Sequence, residues 1–160
     1  MKIRDYTPTD HEACLAVFDT NVGKYFVETE REEFSEFLNA LPGPYLVIET
    51  DSGEVVGCGG YAPRAGVEGA DLCWGMVARL SHRKGLGRLL TEERVRRIRN
   101  EGVGRSVLLG TSQHTVGFYE SLGFIIESHI PDGYAPGIDR YDMRLLLDRR
   151  PLLSGDDHEA

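Results

Sequence analysis

The segment from Ala70 to Thr111 limits the architectures open to this chain more than any other. "ADLCWGMVA" is apolar enough for a strand buried on both faces, "SHRKGLGRLL" is a basic loop with glycines at 85 and 87, "LGRLLTEERVRRIRNEG" is helical, and "SVLLGT" is a short β-rich run. Strand, loop, long helix, strand makes a right-handed crossover, so the two flanking strands should lie parallel in one sheet, the second near its centre. The glycine loop then falls at the carboxyl end of the first strand, where open α/β sheets take ligands. Within the helix, Leu86, Leu89, Leu90, Val95 and Ile98 make an imperfect apolar face. Glu92/Arg96 and Glu93/Arg97 have i,i+4 spacing, and Gly102 is a natural C-cap.

The elements around this unit follow from period and punctuation. "KIRDY" alternates as a strand, and "TPTDHEACLAVFDTN" offers an N-cap before a helix. A second helix runs from about Thr29, with Phe34, Phe37, Leu38 and Leu41 at 3/4 spacing and Pro42-Gly43-Pro44 as its stop. "YLVIETDSGEVVGCGGYA" reads as a hairpin turning at Asp51-Ser52-Gly53. "SQHTVGFYESLG" reads as a short helix capped by Thr111 or Ser112 and stopped by Gly123, and "FIIESHI" and "DRYDMRLLL" close the sheet around the loop "PDGYAPGI". The order β-α-α-β-β-β-α-β-α-β-β predicts an α/β (α+β) mixed sheet with helices on both faces. One domain is expected over residues 1–148, and the acidic "SGDDHEA" tail within 149–160 has no packing pattern and reads as disordered.

Composition removes several function classes. A formal net charge of −8 opposes general nucleic-acid binding, and the glutamates between Arg83 and Arg99 weaken a DNA- or RNA-binding reading of those arginines. No apolar run approaches the roughly 18 residues of a membrane span, and "MKIRDYTPTD" lacks the apolar core of a secretory signal, so the default expectation is a cytoplasmic protein with no membrane partner. Cys14, Cys58 and Cys73 have neither disulfide nor zinc spacing and read as reduced, mostly buried thiols. His82 and His129 belong to no metal-spaced cluster, so no metal is expected.

A glycine-rich, basic loop that opens a helix is an anion site, because free backbone N–H groups and the helix dipole both face incoming negative charge. The loop lacks the lysine-hydroxyl pair of an ATP or GTP phosphate loop, and Leu90 stands where a dinucleotide fingerprint needs its third glycine. Taken alone it allows another phosphate, or a basic turn with no ligand.

A second segment narrows the choice. His82-Arg83-Lys84-Gly85-Leu86-Gly87 is similar to the motif Q/R-x-x-G-x-G/A, and Ser112 to Phe124, "SQHTVGFYESLGF", is similar to N-x-x-A-x-x-F/L-Y-x-x-x-G-F. In this order, separated by one strand, the pair resembles the GNAT superfamily of GCN5-related N-acetyltransferases, along nearly the whole chain to about Asp148. His82, Ser112 and Thr115 depart from the usual residues. At 82 side-chain identity should matter least, if backbone N–H groups make the phosphate contacts.

The resemblance implies a mostly antiparallel sheet with a splayed parallel strand pair, and acetyl-CoA as cosubstrate. Arg83, Lys84, Gly85, Leu86, Gly87 and Arg88 would cradle the pyrophosphate, Met76 and Val77 would offer main-chain groups to the pantetheine arm and the thioester oxygen, and Ser112 would add a polar contact. Tyr119 would be the general acid beside the sulfur. The reaction implied is direct attack of a primary amine on the acyl thioester in a ternary complex. A non-catalytic acyl-CoA-binding module of the same fold is the alternative.

The base is left open among Glu28, Glu30, Asp71, His114 and a water chain. Tyr25, Phe26, Tyr134 and Pro136 are candidate walls of the pocket for a small-molecule or peptide amine. A homodimer is family habit only.

Overall fold

A computed structural model describes residues 1–66 and 68–147. The tail expected within 149–160 lies outside the described residues. The elements are β1 (Lys2–Asp5), α1 (His11–Asp19), α2 (Glu30–Asn39), β2 (Tyr45–Glu49), β3 (Val55–Pro63), β4 (Gly69–Val77), α3 (Leu86–Glu101), β5 (Ser106–Thr111), α4 (Val116–Ser121), β6 (Ile125–Ala135) and β7 (Ile138–Leu146). They form a seven-stranded sheet in the order β1-β2-β3-β4-β5-β7-β6. Every pairing is antiparallel except β4 with β5, which is the pair the crossover argument makes parallel.

Strand alternation divides the core between the two faces of the sheet. Tyr45 and Val47 pack with Cys14, Phe18, Phe34 and Leu38 of α1 and α2, while Leu46 and Ile48 pack with Leu86 and Leu90 of α3. Ile98 continues the second face against Tyr61, Ala70, Val107, Phe124 and Met143. Phe18 and Phe34 are fully buried, and truncating either to alanine should cost about 3–5 kcal/mol. Cys14 and Cys58 are buried thiols and Cys73 is half-buried. Among the described residues no helix is long and apolar enough to cross a membrane.

Five local expectations change. The buried face of α3 is Leu86, Leu90, Thr91, Arg94 and Ile98, and Leu89 is exposed, because the helix turns a charged residue inward. Of its two expected ion pairs Glu93/Arg97 forms, but Glu92 takes Arg88 and Arg96 turns to Glu93 as well. β4 is half-buried from Asp71 to Gly75, since it parts from β5 instead of being covered on both sides. The helix of the second motif starts at Val116 after Thr115. The Ser112 carbonyl accepts the Val116 N–H at 2.9 Å, and the Ser112 hydroxyl accepts the His114 N–H at 3.2 Å. Finally, most of the loop expected between the last strands remains in β6, with a break in register between Ile130 and Ala135 and a tight turn at Pro136-Gly137.

Candidate active site

The parallel pair holds for only three positions, Gly69–Asp71 against Ser106–Leu108. β4 then continues to Val77 and β5 to Thr111, with β5 still bonded to β7. The two strands therefore part, and a cleft of about 1000 Å³ opens between them, lined by Leu72, Trp74 and Met76 on one side and Leu109, Gly110 and Thr111 on the other.

A bulge sits on the β4 wall. Cys58 pairs with Met76 but Gly60 with Cys73, so Trp74 and Gly75 together oppose Gly59. Trp74 has φ of 41°, a left-handed conformation that costs a non-glycine residue about 1–3 kcal/mol and persists only where its surroundings impose it. Here they do: the Tyr45 hydroxyl donates to the Trp74 carbonyl at 2.7 Å, and the indole stacks on Phe34 and Phe26 at 5.0 and 5.9 Å.

The glycine loop leaves β4 through a short 3₁₀ turn, Arg79–Ser81. Arg83 and Gly85 follow at φ of 65° and 81°, and Gly85 is the N-cap of α3 with no side chain capping it. Arg83, Gly85, Gly87 and Arg88 line the cleft. Lys84 is exposed outside the lining, and Leu86 turns its side chain into the core. The Val77 carbonyl is occupied twice, by Asn21 Nδ2 at 2.9 Å and by the His82 imidazole at 2.7 Å. His82 thus pins the loop to the end of β4, a role its place in the motif does not reveal. A carbonyl only accepts, so the His82 ring must present N–H at Nε2. Across the cleft stands Tyr119, half-buried and packed edge-on against Phe118 and Phe124, with Ser112 and Thr115 lining the same wall.

The sequence profile of the acetyltransferase (GNAT) domain matches residues 5–147. The chain belongs to this family. A Desulfovibrio desulfuricans structure assigned to the GNAT acetyltransferases is 26% identical, with a TM-score of 0.77, over 92% of this chain and 99% of that one. The ribosomal-protein-alanine N-acetyltransferase of Brucella melitensis is similar in fold at 24% identity and a TM-score of 0.71, over 92% and 100% of the two chains. An aminoglycoside 6'-N-acetyltransferase complexed with coenzyme A follows at 19% and 0.76, over 94% and 99%. Among curated proteins none matches the chain.

In this GNAT acetyltransferase, α2 and the last hairpin wall the other end of the cleft. Glu30 and Glu33 line it. Burial raises the Glu30 pKa above the ordinary carboxylate value, opposed by the Val27 N–H that Oε1 accepts at 3.0 Å. Of the other base candidates, His114 lines the cleft beside the Tyr25 ring, Asp71 is engaged with Arg64 at 3.1 Å, and Glu28 is exposed outside the lining. Tyr25, Phe26 and Tyr134 are cleft residues and Pro136 is not. A Cβ built on Gly110 would stand 2.7 Å from the Tyr134 hydroxyl, so the tyrosine reaches across the end of β5. Gln113 latches its hairpin by donating to the Gly137 carbonyl at 2.7 Å and accepting the Asp139 N–H at 2.9 Å. Among the described residues no group of three or more His, Cys, Asp or Glu side chains is placed to hold a metal ion.

Proposed function

We propose that the protein transfers an acetyl group from acetyl-CoA to a primary amine by direct attack in a ternary complex. The observation that carries this reading is the convergence, in one cleft, of a strand edge released from pairing, a glycine loop opening a long helix, and Tyr119. The residues suit the cosubstrate. Exposed backbone at Gly85 and Gly87, the α3 N-terminus and the charges of Arg83, Lys84 and Arg88 match a pyrophosphate. Main-chain groups at Met76 and Val77 would hold the extended arm; with the Val77 carbonyl already bonded and Met76 paired with Cys58 of β3, the donor facing away from β3 is the Val77 N–H. That N–H polarises the thioester carbonyl. Ser112 adds a polar contact at the β5 side.

Coenzyme A supplies the activated acyl carbon. Glu30, raised in pKa by burial, takes the proton that the amine nitrogen loses as its lone pair forms the N–C bond. Tyr119 delivers a proton to the sulfur as the C–S bond breaks; Glu30 then releases its proton to solvent and solvent restores the phenol, so charge and atoms balance. Glu30 and Glu33, with the net charge of −8, draw a protonated amine to the cleft, where it gives one proton to solvent before the freed lone pair attacks. The acceptors named for the similar structures, an aminoglycoside and a ribosomal-protein alanine, are both amines.

Calorimetric titration with acetyl-CoA, followed by thiol release over an amine panel, tests the proposal. Absence of binding at high micromolar concentration would sink it. Binding without turnover on any amine would instead favour a non-catalytic acyl-CoA-binding module.

A further inference from the structure

The cleft floor carries a full charge that the described side chains leave uncompensated. Arg94 reaches from α3 to the bulge on β4, lines the cleft and is 2% exposed. A Cβ built on Gly75 would lie 2.8 Å from its Nη2, and one on Gly59 would lie 3.1 Å from its Nη1. The guanidinium therefore lies flat in a seat that glycines at those two positions leave open. Its hydrogen bonds are long and go to neutral groups: Nη1 donates to the Gly60 carbonyl at 3.2 Å and Nη2 to the Thr91 hydroxyl at 3.4 Å. Nε has no acceptor, and among the described residues Arg94 joins no ion pair. A methionine there would fill similar space without the penalty of burying an unpaired charge.

We propose that Arg94 is a positioning residue for acyl transfer. It packs against the Gly75 backbone of the bulge, and its fixed positive charge favours the negative charge that appears on the acyl carbonyl oxygen and the departing sulfur. This rests on the acyltransferase reading above. A carboxylate paired with the guanidinium would cancel the field. With none bonded to it among the described residues, the field acts on charge that exists only as the reaction proceeds, which raises turnover rather than ground-state affinity.

Two measurements test the assignment. The first needs no variant: the thiol of CoA bound to the wild-type protein, titrated by thiolate absorbance, should ionise below the pH at which free CoA does. A bound value at or above the free one overturns the inference, since desolvation alone pushes a thiol up. The second compares Arg94→Met with Arg94→Lys. Arg94→Met should bind CoA within about threefold of wild type, lose about tenfold to a hundredfold in kcat with KM for acetyl-CoA little changed, and raise the bound thiol pKa by about one unit. Arg94→Lys should recover part of each. Unchanged kcat and thiol titration in Arg94→Met overturn this inference and leave the acyltransferase reading standing. A preference for succinyl-CoA over acetyl-CoA that vanishes in Arg94→Met also overturns it, by making a ground-state carboxylate the partner. A protein that binds no CoA overturns the acyltransferase reading, and this inference with it.

Discussion

The Tyr45 hydroxyl and the Trp74 carbonyl are joined by a 2.7 Å hydrogen bond that holds the β4 bulge in place. Tyr45 lies on β2, two strands from β4, and its ring is buried. Tyr45→Phe keeps the ring and leaves a carbonyl without its partner, so the variant should lose about 1–2 kcal/mol in urea unfolding. Trp74 is the sole tryptophan, so its fluorescence in the folded state should shift as the bulge relaxes.

Tyr119→Phe separates packing from proton delivery. The ring contacts with Phe118 and Phe124 survive, and only the hydroxyl is lost. Turnover should fall about a hundredfold while the CoA affinity and the thermal midpoint stay at wild-type values. Steady-state kinetics beside calorimetry reads both.

On the proposed mechanism, Glu30 ties activity to pH. Its carboxyl titrates above the ordinary glutamate value because burial disfavours the anion. As a base it works only when ionised, so kcat/KM should rise with pH through that raised pKa, and Glu30→Gln should lose this limb and about a hundredfold in rate. Stability has the opposite sign. The native carboxyl holds its proton more tightly than the unfolded one, so its contribution is fully present below the unfolded pKa and is lost as pH rises through the folded one. Glu30→Gln should therefore unfold at higher denaturant than wild type at pH 7 and converge with it in acid.

His82→Ala removes one of the two donors on the Val77 carbonyl and leaves Asn21. The loss of about 0.5–1.5 kcal/mol in loop ordering should weaken acetyl-CoA binding by about twofold to tenfold in calorimetry. Wild-type affinity would mean that the pin does not govern the loop.

The order of elements and the parallel pair were legible because period and glycine placement report backbone geometry directly. The turn signal at Asp51-Ser52-Gly53 and the helical apolar spacing of α3 need no tertiary knowledge. Arg94 was not legible. Residue type places arginine outside, and the apolar face of α3 drifts onto Leu89 unless Gly59 and Gly75 are seen to open a seat for a guanidinium. The bulge at Trp74-Gly75 was equally hidden, since one extra residue in a strand leaves its composition unchanged. The Asp-, Gly- and Pro-rich run after Ile130 looks like a loop by content, yet Gln113 latches the hairpin from outside it. Glu30 could be named among the candidates but not chosen, because burial within the cleft distinguishes it from Glu28 two residues away.

The parting of β4 from β5 after Asp71 has a consequence for the lifetime of the molecule. On the acyltransferase reading, an extended arm lying along Leu72–Val77 completes a sheet that the chain alone leaves open, and donor binding is then part of folding stability. At a donor concentration a hundredfold above Kd the gain is about 2.7 kcal/mol. Where proteolysis follows the population of opened molecules, scarcity of acyl donor would shorten the survival of the protein as well as slow its turnover.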